Sequence, residues 1–106
     1  MRRDLEEELY VAELFAFYGG LLTERQFEIS RLYYNEDQSL AEIADQLGIT
    51  RQSVRDSLVA SRRLLTDYEG KLRLKDKFDR IRTIVADCGE GEERAALLRV
   101  QGILEE

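Results

Sequence analysis

The chain contains no histidine, no proline, no tryptophan and a single cysteine, Cys88. Without histidine, a Ser-His-Asp or Cys-His nucleophile is impossible. With one cysteine there is neither a zinc site of the usual Cys/His type nor a disulfide within the chain. Without proline, no helix carries a built-in break. No apolar run approaches the roughly 18 residues that a membrane span needs. The opening Met1-Arg2-Arg3-Asp4-Leu5-Glu6-Glu7-Glu8 has basic residues but not the apolar stretch of a secretory signal. These absences lead to the expectation of a soluble, cytoplasmic protein that holds no metal and no cofactor.

What is present fits one small domain. The 106 residues, 12.3 kDa, are 43% apolar, enough for a modest core and too much for a disordered chain. Lys and Arg number 16 against 22 Asp and Glu, a net charge of −6 and a pI near 4.8. The charge is unevenly placed. Residues 1–50 carry 4 basic and 11 acidic side chains, residues 51–88 carry 10 and 6, and residues 89–106 carry 2 and 5. A basic middle between acidic ends is a partner signal; it is also what a solvated, mixed-charge helix surface looks like.

Only helical periodicity is found. A first helix is predicted from about Asp4 to Tyr18, with Leu5, Leu9, Ala12 and Ala16 in one apolar row and Tyr10, Leu14 and Phe17 in a second. The early acidic residues suit its positive end, and Gly19-Gly20 ends it. Thr23-Glu24-Arg25-Gln26 and Ser39-Leu40-Ala41-Glu42 are capping boxes, each opening a helix. Between them Phe27, Ile29, Leu32 and Tyr33 lead to about Tyr34, and residues 35–38 form a loop. Gly48 closes the short helix, and Thr50 caps a long one.

The long stretch changes phase. Val54, Leu58, Ser61, Leu65, Tyr68 and Leu72 form one row, and Leu74, Phe78, Ile81, Val85 and Cys88 form a displaced one. A break or kink is therefore predicted across Tyr68–Leu72, where Gly70 weakens a helix by roughly 1 kcal/mol relative to alanine. After Gly89-Glu90-Gly91, a last helix puts Ala96, Leu97, Val100, Ile103 and Leu104 on one face. Four to five helical segments cannot bury all these faces in so small a monomer, so a homodimer is expected, through the Leu74–Cys88 row, the first helix or the last. Cys88 continues an apolar row and is expected to be a small buried hydrophobe. Tyr33-Tyr34 is expected to pack at the edge of the core.

Residues 40–55 have the parts of a helix-turn-helix. Ala44 is small where two helices approach, Gly48 occupies the turn, and Ile43, Leu47, Ile49 and Val54 supply buried faces. The second helix of such a motif offers the side chains after its cap to the major groove. Here those are Arg51, Gln52, Ser53, Arg55 and Asp56, with Arg62 and Arg63 placed to reach phosphates. Asp56 can accept from cytosine N4, and its carboxylate repels phosphate. A scaffold or protein-interaction role for the same three-helix unit is the competing reading.

Leu21-Leu22-Thr23-Glu24-Arg25-Gln26, Tyr33-Tyr34, Ser39-Leu40-Ala41-Glu42-Ile43-Ala44 and Thr50-Arg51-Gln52-Ser53-Val54-Arg55 together resemble the last DNA-binding region of bacterial primary sigma factors. Adding Phe15-Ala16-Phe17-Tyr18, Asp67-Tyr68-Glu69-Gly70-Lys71-Leu72 and Lys77-Phe78 extends the resemblance to the YlxM family of small bacterial proteins over the whole chain. That resemblance implies an all-α fold with a sigma-like helix-turn-helix at about 39–69, an N-terminal helix, and a C-terminal helical packing or dimerisation segment at about 71–106. It also implies a role in the signal recognition particle pathway, because the family's genes typically neighbour those of that particle's protein and its receptor. Asp56 stands where sigma factors carry glutamine, and residues 50–65 hold four arginines against that one acid, a net +3.

Two functions follow from these readings. One is a DNA-binding regulator that docks Arg51, Gln52 and Arg55 in a major groove. The other is an accessory protein contacting RNA or protein components of the signal recognition particle through Arg62, Arg63, Lys71, Arg73, Lys75 and Lys77. Catalysis is not expected: Glu36-Asp37 and Glu90 with Glu92-Glu93 sit in predicted loops, and no acid, base and nucleophile converge.

Overall fold

Side-chain caps decide where the helices begin. In the computed structural model, which describes residues 4–106, the Asp4 carboxylate accepts from the backbone N–H of Glu6 and Glu7 and starts α1, Leu5–Tyr18. Thr23 and Gln26 form a reciprocal capping box at the start of α2, Glu24–Tyr34. Ser39 and Glu42 do the same for α3, Leu40–Leu47. α4 runs Arg51–Leu72, α5 Leu74–Asp87 and α6 Glu93–Leu104. Among the described residues the fold is all-α, with six α-helices rather than four to five, and a 3₁₀ turn at Gly19–Leu21. Met1, Arg2 and Arg3 of the opening segment lie outside the described residues.

The chain forms two compact units, the first ending at Leu72 and the second spanning Arg73–Glu106. In the first, α4 is shared by two apolar clusters. Its first half buries Val54 and Leu58 with Ile29 and Leu32 of α2 and Ile43 and Ala44 of α3. Its second half buries Leu65 with Val11, Leu14, Phe15 and Tyr18 of α1 and Leu22 beyond it. Each fully buried Leu, Ile or Phe contributes about 1.5–3 kcal/mol, so both clusters are needed to hold one long helix in place.

The buried face of α1 differs from the predicted rows. Leu5, Leu9 and Ala16 are exposed, whereas Val11, Leu14, Phe15 and Tyr18 are buried. Both stripes are apolar at helical spacing, and packing against α4 selects the one that carries the aromatic rings. Phe15 then sets a local requirement: a Cβ at Gly19 would lie 2.8 Å from its ring, so the chain leaves α1 through glycine.

The predicted break also moves. α4 continues through Gly70 to Leu72, and the chain turns at Arg73, which takes a left-handed backbone with φ of 57°. The helix is held past Gly70 by Glu69, a buried residue whose carboxylate accepts a 2.6 Å hydrogen bond from the Tyr18 hydroxyl, and by the Tyr68 ring 6.0 Å from that of Tyr18. Ser61, completely buried on the same face, sits between Leu58 and Leu65 as its row predicts.

In the second unit α5 and α6 pack as an antiparallel hairpin joined by residues 88–92. The Leu74–Cys88 row is not its buried centre: Ile84 is buried, Ile81 and Cys88 are half-buried, and Leu74, Phe78 and Val85 are exposed. Cys88 ends α5 and is not enclosed in an apolar row as expected. Arg80 closes the open end with a two-pronged pair to Glu106, at 2.8 and 2.5 Å. Those hydrogen bonds hold the Glu106 carboxyl below its usual range. The pair is fully solvated, so its contribution is small; it is present above the ordinary carboxylate pKa and lost as pH falls through the depressed one.

The Tyr18–Glu69 bond is open to a direct test. Tyr18→Phe is expected to destabilise the first unit by about 1–3 kcal/mol in urea unfolding followed by circular dichroism, because it deprives a buried carboxylate of a donor. Combining it with Glu69→Met is expected to cost less than the sum of the two single changes. Strict additivity would show that the bond contributes nothing to holding α4 past Gly70.

Candidate nucleic-acid interface

The helix-turn-helix is built by three local devices. The capping box at Ser39 fixes the start of α3. Gly48 ends it in a left-handed conformation, φ 68°, and the N–H groups of Gly48 and Ile49 both return to the Ala44 carbonyl. Thr50 then caps α4, its Oγ1 accepting from the Ser53 N–H at 3.0 Å and donating to the Ser53 hydroxyl at 2.9 Å. Behind this turn Ile43, Ala44 and Val54 are buried and Leu47 and Ile49 half-buried, which fixes how α4 emerges from α3.

Helical phase sorts the predicted contact residues. Arg51, Arg55 and Arg62 follow steps of four and seven and form one edge of a stripe along α4. Gln52, Asp56 and Arg63 form the other edge, with exposed Val59 between them. Six of the seven predicted residues therefore share one outward face. Ser53 lies off it, with its hydroxyl engaged by the Thr50 cap.

Arg51, Gln52, Asp56 and Arg63 are exposed, and Arg55 is half-buried. Arg51, Gln52 and Arg55 line an open groove of about 570 Å³ with Tyr33, Asp37, Ser39, Leu40 and Glu42. The Gln52 side-chain amide donates a 2.8 Å bond to the Asp56 carboxylate.

Two features of this face are not deducible from spacing. Arg62 forms an ion pair with Glu7 of α1, so its charge is met before any phosphate arrives. The Tyr33 hydroxyl donates to Glu8, also of α1, at 3.2 Å, and the Tyr33 and Tyr34 rings meet edge-on with centroids 4.9 Å apart. The tyrosines thus pack at the core edge, as expected. The run Glu6-Glu7-Glu8 carries a local signal for a helix start; its contacts with residues far along the chain depend on how α1 crosses α4. Among the described residues no cluster of His, Cys, Asp and Glu is arranged to hold a metal ion, and no helix is long and apolar enough to cross a membrane.

The comparisons agree with this architecture. Residues 5–100 match the family model of the UPF0122 proteins, described as YlxM / p13 like helix-turn-helix proteins. A UPF0122 protein of Clostridium acetobutylicum is 41% identical over 83 residues, covering 78% of this chain and 72% of the relative. One from Symbiobacterium thermophilum is 45% identical over 87 residues, covering 82% and 81%. One from Streptococcus thermophilus is 37% identical over 102 residues, covering 90% and 93%.

The turn has a testable requirement. A Cβ at Gly48 meets nothing within 4 Å, so any cost of substitution comes from the left-handed backbone alone. Gly48→Ala is expected to lower stability by about 1–2 kcal/mol. Gly48→Asn, which tolerates that conformation, is expected to cost less. Equal losses in urea unfolding would show that conformation is not what selects glycine here.

Proposed function

Because the chain belongs to the UPF0122 family of YlxM / p13 like helix-turn-helix proteins, we propose that it is a cytoplasmic, homodimeric DNA-binding regulatory protein. It acts by placing the first turns of α4 in the major groove. Arg51 and Arg55 contact guanine edges, Gln52 contacts adenine, Asp56 sets the amide of Gln52, and Arg63 reaches phosphate, with Arg62 joining it only where its pair with Glu7 opens. Ser53 secures the cap. No catalytic step, metal or cofactor takes part.

The observation that carries this reading is the state of Arg51. It stands exposed at the head of α4, beside the groove, and among the described residues no ion pair engages it. The other basic residues of the middle segment are differently placed. Arg62 pairs with Glu7, Arg73 with Asp76 and Lys75 with Asp79. These pairs weigh against the second reading, an accessory protein that contacts signal recognition particle RNA or protein through the same segment. Exposed Arg63 and Lys71 remain in its favour.

The low pI bears on how DNA would be bound. Phosphate contacts supply nearly all non-specific affinity, and a chain of net charge −6 gathers few of them. Binding therefore has to draw on base contacts, and weak affinity for random duplex is expected.

Selection from a random duplex library, followed by anisotropy titration of the enriched duplex, tests the proposal. An enriched sequence is expected, bound about 10–100-fold more weakly by Arg51→Ala, the loss of one bidentate base contact. Arg63→Ala is expected to reduce affinity for all duplexes alike and to flatten the salt dependence. Failure to enrich any duplex, with saturable binding to signal recognition particle RNA instead, would favour the accessory reading.

A further inference from the structure

One apolar row of α1 has no place in the core. Leu5 and Leu9 are 72 and 64% exposed, Ala16 is exposed and Ala12 is half-buried. At about 100° per residue these side chains fall within an arc of about 60°. By the same count Glu8 runs along one edge of the row, and Glu6 and Glu13 along the other.

The row is one wall of a crease. Tyr33 and Tyr34, at the end of α2, form the other wall opposite Leu5, Leu9 and Ala12, and the space between is about 150 Å³. Glu8 and Asp37 also line it. A small-molecule site needs roughly 300–1,000 Å³, so the crease suits side chains inserted from a surface lying over it. No residue of α4 lines it, which separates it from the face proposed for DNA.

Charge selects the occupant. Residues 4–37 carry 9 acidic and 2 basic side chains, and one of those two, Arg31, is paired with Glu36. Among the described residues no cation engages Glu6 or Asp37. Such a field repels nucleic acid. A second copy of the same face would bring its own carboxylates against these.

We propose that the α1–α2 crease is a docking site for a basic amphipathic helix of a partner protein. Apolar side chains of that helix, three and four residues apart, enter between α1 and the two tyrosines. Its flanking Lys or Arg side chains lay their stems over Leu5 and Leu9 and carry their charges to Glu6, Glu8 and Asp37. An extended peptide is disfavoured, because the described residues offer no sheet edge for its backbone to join. The row from Leu5 to Ala16 spans roughly 16 Å, about three turns of a partner helix. Docking here is independent of DNA binding.

Selection from a displayed random library of peptides of about 18 residues, with the full chain as bait, tests this. Enriched peptides are then titrated by anisotropy. They are expected to be cationic with apolar residues three and four apart, and to bind Leu9→Ala about tenfold more weakly. Glu6→Gln and Asp37→Asn are each expected to cost about two- to fivefold and to flatten the salt dependence. Asparagine tolerates the left-handed backbone of Asp37, and Leu9 and Glu6 are exposed, so the urea transition is expected to stay unchanged. A shuffled peptide of the same composition is expected to bind about tenfold more weakly, which separates docking from general attraction of cations. Enrichment of no peptide, or of acidic or uncharged ones, overturns the proposal. Equal binding of the shuffled peptide, or indifference to Leu9→Ala, does the same. Self-association of the chain alone that Leu9→Ala abolishes in sedimentation velocity would assign the crease to a second copy and also overturn it.

Discussion

α4 is common to everything the first unit does. Val54 and Leu58 close the core of the helix-turn-helix, Leu65 closes a second core against α1, and Glu69 receives the Tyr18 hydroxyl at its far end. A helix on its own is marginal in water, and most of its stability in a protein comes from packing one face. Burying a single edge along α4 turns another edge outward over the same length. That outward edge carries Arg51, Gln52, Arg55, Asp56, Arg62 and Arg63, with Arg62 already paired to Glu7. The placement of the outward face therefore follows from the apolar pattern behind it, and Gly48 and Thr50 fix where the helix enters.

The electrostatics are set between elements. α1 brings Glu7 to Arg62 and Glu8 to Tyr33, so the acidic start of the chain lies against the middle of α4 and leaves its head uncovered. An exposed ion pair contributes little stability. Its effect is instead to reduce the positive field along α4 beyond the first turns, concentrating what remains around Arg51. In a protein of pI 4.8, this is consistent with discrimination by base edges over general attraction to phosphate.

Signals confined to a few residues were legible in the sequence. The capping boxes at Thr23 and Ser39, the turn at Gly48 and the cap at Thr50 appear where side-chain chemistry demands them, because each closes on a backbone group within four positions. The row Val54, Leu58, Ser61 and Leu65 was equally plain. Choices settled between distant segments were not. α1 presents two apolar stripes, and only α4 decides that Val11, Leu14, Phe15 and Tyr18 go inside. Gly70 looked like the break, but Tyr18 and Glu69 carry the helix past it to Arg73. On the candidate site, the outward residues of α4 followed from spacing, whereas the pairing of Arg62 with Glu7 required the fold.

The head of α4 is the surface we propose to meet DNA. Mapping amide chemical shifts of the labelled chain on addition of a selected duplex tests it most directly. The largest changes are expected at Arg51, Gln52, Ser53, Arg55 and Asp56, fading toward Arg63, with the buried row of α4 little affected. Changes confined to residues 71–82, or none in α4 at saturating duplex, would contradict it.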